Sequence, residues 1–253
     1  MCTYWDKKIE LHNYVQVQTP GRISYGGDQK WFASQQKDRR ESVLSDYGCG
    51  LVALGDFFLM AGRRFPALVP SMDNRCFRPV ISGKTEDVPV EKKRYLAYLH
   101  SLGKGYITIF PRVGVNAWQM WLAMWRYLRK SGQKGRIYWG VLPGNFLKRT
   151  ASMLEQGLPV PFCVGPNLNL FRRDAQVPMY QMREGKLQEV CRIRGHYMNI
   201  TGLFWDSAHE LYFQVSSWGK CYYISWKEFE AYRKLQPPIW RNWLSNLLYV
   251  KLK

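Results

Sequence analysis

The spacing of apolar residues changes along the chain, and this change predicts two structurally different halves. In the first half, apolar residues follow helical periodicity over long segments, most clearly after Cys49 and after Asn116. From residue 157 onward, short apolar runs alternate with glycine-containing turns, which is typical of antiparallel strands. The pattern therefore predicts an α+β protein, with a mainly helical lobe at 45–156 and a mainly antiparallel β lobe with a C-terminal helix at 157–253.

The remaining organisation follows from composition and turn signals. Residues 1–44 are mixed and polar, and predict an N-terminal arm packed on a single domain that spans 1–253. Four prolines in residues 65–90 predict a loop-rich connection. Helices are predicted at 49–62, 90–102, 117–130 and 145–155, and one more begins after Ser225. Strands are predicted at 14–18, 161–164, 186–192, 197–203, 211–215 and 221–224, and residues 105–110 are predicted to be a short strand or an extended segment.

Three tryptophans, Trp118, Trp121 and Trp125, recur at helical spacing in the helix that follows Asn116. Such a stripe is either a platform for a ligand or part of the core. Tryptophan is highly buried on average, and the core interpretation is therefore favoured.

The formal net charge is +18, from 37 Lys and Arg against 19 Asp and Glu. This charge attracts nucleic acid, anionic lipid or an acidic partner. The short basic clusters contain acids and no nucleic-acid motif accompanies them, so the charge is interpreted as a modifier of partner choice. An acidic partner stays open, and direct nucleic-acid binding is not favoured.

No apolar run reaches the roughly 18 residues that cross a bilayer, so no transmembrane segment is expected. The N-terminus has no apolar signal region, which predicts a cytoplasmic protein, or one exported by another route, if Met1 is the natural start. The six cysteines lie far apart without a C-x-x-C pair, so neither a zinc site nor a disulfide framework is expected. We expect no metal and no cofactor.

Residues 45–50 (SDYGCG) place Cys49 between two glycines, in a predicted loop directly before an apolar helix. If Cys49 opens that helix, its sulfur lies beside unpaired N–H groups and the positive end of the helix dipole, and both lower the pKa of a thiol. Gly48 and Gly50 would let another backbone or a substrate approach closely. A nucleophile and a small buried residue at a helix start are both open interpretations here.

Two later stretches supply possible partners for a thiol. Gly195 places His196 at the start of a predicted strand, where an imidazole is suited to accept a proton or, alternatively, to hydrogen-bond a loop. Ser216 ends the next predicted strand, and a hairpin could bring it beside His196 to fix the imidazole tautomer. Trp218 could shield that hydrogen bond, although one more core aromatic is the favoured interpretation.

The order of these stretches resembles the papain-like cysteine peptidases, and most of all their bacterial C39-type branch. The resemblance covers about residues 45 to 232, and the specific segments are Cys49-Gly50, 156–160 (QGLPV), 196–202 (HYMNITG) and 226–229 (WKEF). It implies a papain-like fold with an active-site cleft between the two lobes, and a peptide or protein substrate.

By the same resemblance, Cys49 is the nucleophile, His196 is the general base and acid, and Ser216 holds the third position. The family has Asn or Asp at that position, and a serine carries no charge to stabilise an imidazolium. Asp206 and Asn199 are alternatives at non-matching positions.

The family also supplies an oxyanion-hole glutamine six residues before the cysteine, where this chain has Val43. Gln35 and Gln36 lie too far back, so the Cys49 N–H and a second donor from Ser45 or Tyr47 would have to serve. The predicted function is thioester-forming hydrolysis of a peptide or amide bond. The alternatives are a weakened or inactive binding protein of the same fold, and a basic protein that binds nucleic acid or a membrane surface.

Overall fold

The computed structural model describes residues 8–35, 39–65, 89–169, 172 and 174–252. These residues form a mixed α+β protein, as the sequence predicts, and they divide into two compact units. We call them the helical unit, which comprises 10–137, 217–220 and 250–253, and the sheet unit, which comprises 1–9, 138–216 and 221–249. The last part of the predicted helical lobe, residues 138–156, therefore belongs with the strands.

The described residues of the helical unit include four α-helices and several short strands. The helices are α1 (Arg39–Tyr47), α2 (Cys49–Arg64), α3 (Lys92–Gly105) and α4 (Ala117–Lys130). The strands β1 (Gln16–Thr19), β2 (Arg22–Tyr25) and β3 (Val90–Glu91) form a sheet of order β2-β1-β3, in which β1 runs antiparallel to β2 and parallel to β3. A separate two-stranded sheet pairs β4 (Gly135–Tyr138) with β12 (Tyr249–Leu252).

Helix α2 is the centre of the helical unit. Every residue from Gly50 to Gly62 is buried, and α2 packs against α1, α3 and α4. The ring of Phe58 stacks on Tyr127 of α4, with centroids 3.6 Å apart and an interplanar angle of 8°. An apolar helix buried on all sides is the expected core of such a bundle, because burial of its side chains supplies most of the stabilisation.

The sheet unit contains a seven-stranded sheet of order β11-β5-β8-β9-β10-β6-β7. Its members are β5 (Val160–Val164), β6 (Val177–Arg183), β7 (Lys186–Ile193), β8 (His196–Trp205), β9 (Leu211–Ser217), β10 (Lys220–Ser225) and β11 (Asn246–Leu247). Helices α5 (Pro143–Glu155), α6 (Trp226–Leu235) and α7 (Pro238–Leu244) complete the unit. Aromatic rings from α5, β5, β9 and α6 form its core, at Phe146, Phe162, Phe213 and Phe229.

Local signals predicted several boundaries correctly. Helix α2 begins at Cys49, Asn116 caps α4 through a capping box with Gln119, and the Ser225 hydroxyl accepts the Glu228 N–H at the start of α6. Other predictions were wrong. The predicted loop before Cys49 is helix α1, and of the two forms predicted for 105–110 the strand is not formed. The predicted proline-rich connection lies largely outside the described residues, since 66–88 are not described.

Over the described residues, no single helix combines the length and the apolar content needed to span a membrane. Helices α1 and α2 reach that length and composition only as a pair bent by 75°.

Candidate functional site

Cys49 is the first residue of α2, directly after the bend that separates it from α1. Gly48 is the N-cap residue of α2 and makes no side-chain cap hydrogen bond. Glycine has no side chain that could cover the first-turn N–H groups, so none of them is taken by an N-cap side chain. Cys49 is half-buried and carries a thiol that forms no disulfide. The predicted helix start at Cys49 is thus confirmed.

The two glycines beside Cys49 make room for the chain itself. A Cβ on Gly48 would lie 2.3 Å from the Leu44 carbonyl oxygen, which accepts the Gly48 N–H at 2.9 Å. A Cβ on Gly50 would lie 2.9 Å from the Cβ of Val115. The space that the sequence assigned to a substrate or a second backbone is therefore filled by α1 and by the residues that lead into α4.

Gln29 is a site residue that the sequence interpretation missed. Its side chain is buried, and its amide nitrogen donates to the carbonyl oxygens of Ser45 at 3.1 Å and Asp46 at 3.2 Å. These carbonyls lie in the last turn of α1, where helix carbonyls have no intrahelical partner. Gln29 therefore caps the helix that precedes Cys49. A polar residue sixteen positions upstream gives no local sequence signal for this contact.

The oxyanion donors proposed from the sequence do not fit the structure of α1. Val43, which holds the position where the family has its glutamine, lies inside α1. Ser45 and Tyr47 are also in α1, where interior N–H groups bond to carbonyls one turn earlier. Gln35 ends a 3-10 helix at Gln29–Gln35, and Gln36 lies outside the described residues. Of the donors proposed from the sequence, only the Cys49 N–H belongs to α2 and not to α1.

Asp56 lies two turns beyond Cys49 and is buried in the middle of α2. Its carboxylate accepts hydrogen bonds from the Tyr95 hydroxyl at 2.6 Å, the Gly27 N–H at 3.0 Å and the Tyr14 hydroxyl at 3.3 Å. Burial raises the pKa of Asp56 to about 6, against the lowering effect of these hydrogen bonds. The carboxylate ties the N-terminal arm and α3 to the helix that carries Cys49.

His196 is the first residue of β8, as predicted, and lies opposite Val164 of β5. Gly195 precedes it in the left-handed region, at φ 60°, and donates its N–H to the Gly165 carbonyl. The side chain is only 7% exposed, and burial lowers the pKa of His196 to about 4. The imidazole is therefore neutral at neutral pH and is able to accept a proton there.

Ser216 lies on β9 directly opposite Asn199, and both side chains are buried. His196 lies three residues before Asn199 on β8, an offset of about 10 Å along the strand. The residue that the register places across from Ser216 is thus Asn199. Asp206 is unsuited to orient His196, because it lies at the other end of this ten-residue strand and accepts the N–H groups of Ala208 and Glu210 within its own turn.

Trp218 is half-buried and stands in the tight turn between β9 and β10, at φ 47°. Its neighbour Gly219 donates to the Gly27 carbonyl at 2.9 Å and accepts the Tyr25 N–H at 3.0 Å. This turn therefore binds the N-terminal arm through backbone hydrogen bonds, a role that the sequence did not indicate.

No protein-family model, curated protein or solved structure matches this chain. The site has to be judged from its own geometry. Cys49 lies in the helical unit, whereas His196 and Ser216 lie in the sheet unit.

Two other described cysteines are suited to serve as slow-reacting references. Burial raises the pKa of Cys221 to about 12 and also raises the pKa of Cys191. These two thiols stay protonated at neutral pH and react slowly. Cys163 is buried in β5. Among the residues described, no three His, Cys, Asp or Glu side chains are grouped so that they could hold a metal ion.

Proposed function

We propose that this protein is a papain-like cysteine hydrolase of peptide or amide bonds, with Cys49 as the nucleophile and His196 as the general base and acid. The observation that carries the proposal is the position of Cys49, which opens a sixteen-residue helix whose N-cap residue has no side chain. Such a helix start stabilises a thiolate through its N–H groups and its dipole. The position of His196 at the start of β8 supports the second assignment.

In the proposed reaction, the Cys49 sulfur attacks the carbonyl carbon of the substrate and its proton passes to the His196 imidazole. The imidazolium then gives this proton to the leaving amine as the C–N bond breaks, which leaves a thioester on Cys49. Water attacks the thioester and loses a proton to His196. The C–S bond breaks, the acid product leaves, and the Cys49 thiol regains its proton.

Burial of His196 limits this reaction. An imidazole with a pKa of about 4 is unprotonated at neutral pH, but it is a weak base, because burial disfavours the imidazolium that forms when it takes the Cys49 proton. The oxyanion would also lack the family's glutamine, and loss of one such donor typically costs about 10²–10³ in rate. We expect slow hydrolysis, with an acid limb of kcat/KM near pH 4 instead of near 6.5.

A second candidate is a binding protein on the same fold without catalytic activity. The observation that favours it is the filling of the site by the chain itself. The Gln29 amide is used to cap α1, and the gap beside Gly50 is occupied by Val115. Both features leave less room and fewer donors for a substrate carbonyl beside Cys49.

Alkylation separates the two candidates. A variant with Cys2→Ser and Cys76→Ser removes the two cysteines outside the described residues, and the remaining thiols are then labelled with iodoacetamide at neutral pH and mapped by mass spectrometry. The hydrolase predicts that Cys49 reacts at least about tenfold faster than Cys191 and Cys221, whose pKa values burial raises.

The controls are matched within the chain. His196→Gln should slow labelling of Cys49 and abolish hydrolysis of a fluorogenic peptide library, whereas Cys191→Ser should change neither. Cys49→Ser should abolish hydrolysis while the protein stays folded. Equal labelling of all thiols, with no effect of His196→Gln, would reject the hydrolase in favour of the binding protein.

A further inference from the structure

The tryptophan stripe of α4 is exposed, contrary to the sequence interpretation. The buried face of α4 consists of Met120, Ala123, Met124, Tyr127 and Leu128. Trp118 is 61% exposed and Trp125 is 39% exposed, and Trp121 between them is half-buried. Large exposed apolar side chains that recur on one face of a helix mark a surface for interaction rather than a core.

The three indoles are nearly parallel. The Trp118 and Trp121 ring centroids are 5.2 Å apart at 15°, and those of Trp121 and Trp125 are 6.5 Å apart at 10°. Two indoles lying side by side in one plane would have centroids farther apart than 5.2 Å. Trp118 and Trp121 therefore stack, with their ring faces toward one another. The Arg129 guanidinium lies over the Trp125 ring, 5.2 Å from its centroid. Trp118 thus has one ring face against Trp121, and Trp125 has one against the Arg129 guanidinium.

The turn before α4 adds two apolar side chains without polar atoms. Phe110 is 49% exposed and Val113 is 69% exposed. The turn is closed by paired backbone hydrogen bonds between Phe110 and Gly114, of 3.0 and 2.8 Å. The Gln119 amide donates to the Thr108 carbonyl at 2.7 Å, which ties this turn to the first turn of α4. The chain leading into the turn is thus fixed to the start of the helix that carries the tryptophans.

This surface lies in a stretch of the chain without acidic residues. Residues 92–137 contain no Asp or Glu and ten basic residues, which are Lys92, Lys93, Arg94, Lys104, Arg112, Arg126, Arg129, Lys130, Lys134 and Arg136. All of them except the half-buried Lys92 are exposed. The positive charge of this segment therefore complements an anionic surface.

From these observations we infer that α4 and the turn at residues 110–114 form a docking surface for an anionic lipid bilayer. Tryptophan is enriched at membrane interfaces, where an apolar ring and an N–H donor both find partners. Apolar side chains enter the headgroup boundary, and the surrounding Lys and Arg attract anionic lipid headgroups. Single-stranded nucleic acid is disfavoured, because the most exposed apolar side chain of this surface is the aliphatic Val113, on which a base cannot stack and which an apolar lipid boundary accommodates.

Vesicle co-sedimentation of the full chain tests this inference. The protein should bind vesicles of phosphatidylcholine mixed with phosphatidylglycerol, and binding should fall with added salt and with vesicles of phosphatidylcholine alone. The double variant Trp118→Ser/Trp125→Ser should bind about tenfold more weakly or worse. The matched control is Trp240→Ser/Trp243→Ser, which removes two exposed tryptophans of α7 and should bind like the unchanged protein.

Urea unfolding of each variant is the folding control. Unchanged stability of a variant means that its loss of vesicle binding is not a loss of folding. Equal loss of binding in both double variants would overturn the inference, as would equal binding to neutral vesicles. Binding of a single-stranded oligonucleotide that depends on Trp118 and Trp125, with no vesicle binding, would assign the surface to nucleic acid instead.

Discussion

Asp56 shows how a buried residue gains its role from partners that are distant in the chain. In the sequence it only interrupts an apolar run. In the structure its two carboxylate oxygens accept hydrogen bonds from Tyr95, Tyr14 and the Gly27 N–H, and these donors belong to α3 and the N-terminal arm. A buried carboxylate is tolerated when its lone pairs are satisfied in this way. The position of α2, and hence of Cys49, depends on this set of contacts.

Replacement of Asp56 tests that dependence. We expect Asp56→Ala to lower the free energy of unfolding by about 3–5 kcal/mol, because three buried donors lose their acceptor. Asp56→Asn keeps one acceptor oxygen and should cost only about 1–2 kcal/mol. Urea unfolding at neutral pH measures both.

Asp46→Ala is the control for Asp56, because it removes an exposed carboxylate whose ion pair with Lys30 contributes little. An equal loss for the alanine and asparagine variants of Asp56 would mean that packing, and not hydrogen bonding, holds this part of α2.

At the scale of elements, the junction between α1 and α2 fixes where the Cys49 helix begins. Helix α1 ends at Tyr47 with carbonyls that Gln29 caps, and Gly48 allows the chain to turn by 75° into α2. The backbone of Gly48 is not in the left-handed region, so the need for glycine is steric. Its Cα faces the Leu44 carbonyl, and a backbone atom cannot move aside as a flexible side chain would.

Gly48→Ala should therefore destabilise the protein by about 1–3 kcal/mol, a typical cost of forcing extra volume into a packed position. Gly105→Ala is the matched control, since a Cβ on this helix-ending glycine meets nothing within 4 Å. The control should be neutral or stabilising by up to about 1 kcal/mol. Urea unfolding gives both values, and similar values for the two variants would contradict the steric account.

Elements with local signals could be predicted from the sequence. The capping residues Asn116 and Ser225 and the apolar run after Cys49 gave correct helix starts, because caps and periodicity act within one or two turns. Helix α1 could not be predicted, since its C-terminal cap is the distant Gln29. The tryptophans of α4 were assigned to the wrong face, because periodicity predicts a stripe without showing which neighbour covers it.

The same limit applies to the candidate site. The sequence predicted the start of β8 at His196 and the end of β9 near Ser216. It could not predict their register, because a bulge between Ile200 and Gly202 adds one residue to β8 and moves the partner of Ser216 from Ile200 to Asn199. The papain-like relationship and the catalytic roles stay predictions that the alkylation experiment tests.

At the scale of the whole molecule, burial shifts two groups in opposite directions. His196, in the sheet unit, has a pKa of about 4 in the folded protein against an ordinary 6.5. Between these values the unfolded chain holds a proton that the folded protein does not, so the free energy of unfolding rises with pH. Asp56, in the helical unit, has a pKa of about 6 against 3.8, so the folded protein holds the extra proton and stability falls with rising pH.

Each group changes the free energy of unfolding by about 3 kcal/mol across its own pH window, because one pKa unit corresponds to about 1.4 kcal/mol. The two windows overlap between pH 4 and 6, and we expect them to offset one another there. Burial raises the pKa values of Asp28 and Glu228 in the same direction as that of Asp56. These two groups stay unchanged in the variants below, so differences from the original protein isolate His196 and Asp56.

Urea unfolding across pH 4 to 6.5 should therefore separate the two groups. His196→Gln removes the group whose titration makes the free energy of unfolding rise with pH. The stability of this variant should therefore fall with pH more steeply than that of the original protein. Asp56→Asn removes the group whose titration makes the free energy of unfolding fall with rising pH. The stability of this variant should therefore rise with pH by up to about 3 kcal/mol. The variant with both substitutions should follow the slope of the original protein. If His196→Gln leaves the slope unchanged, His196 is not buried as a neutral imidazole, and the expected acid limb of hydrolysis near pH 4 is lost with it.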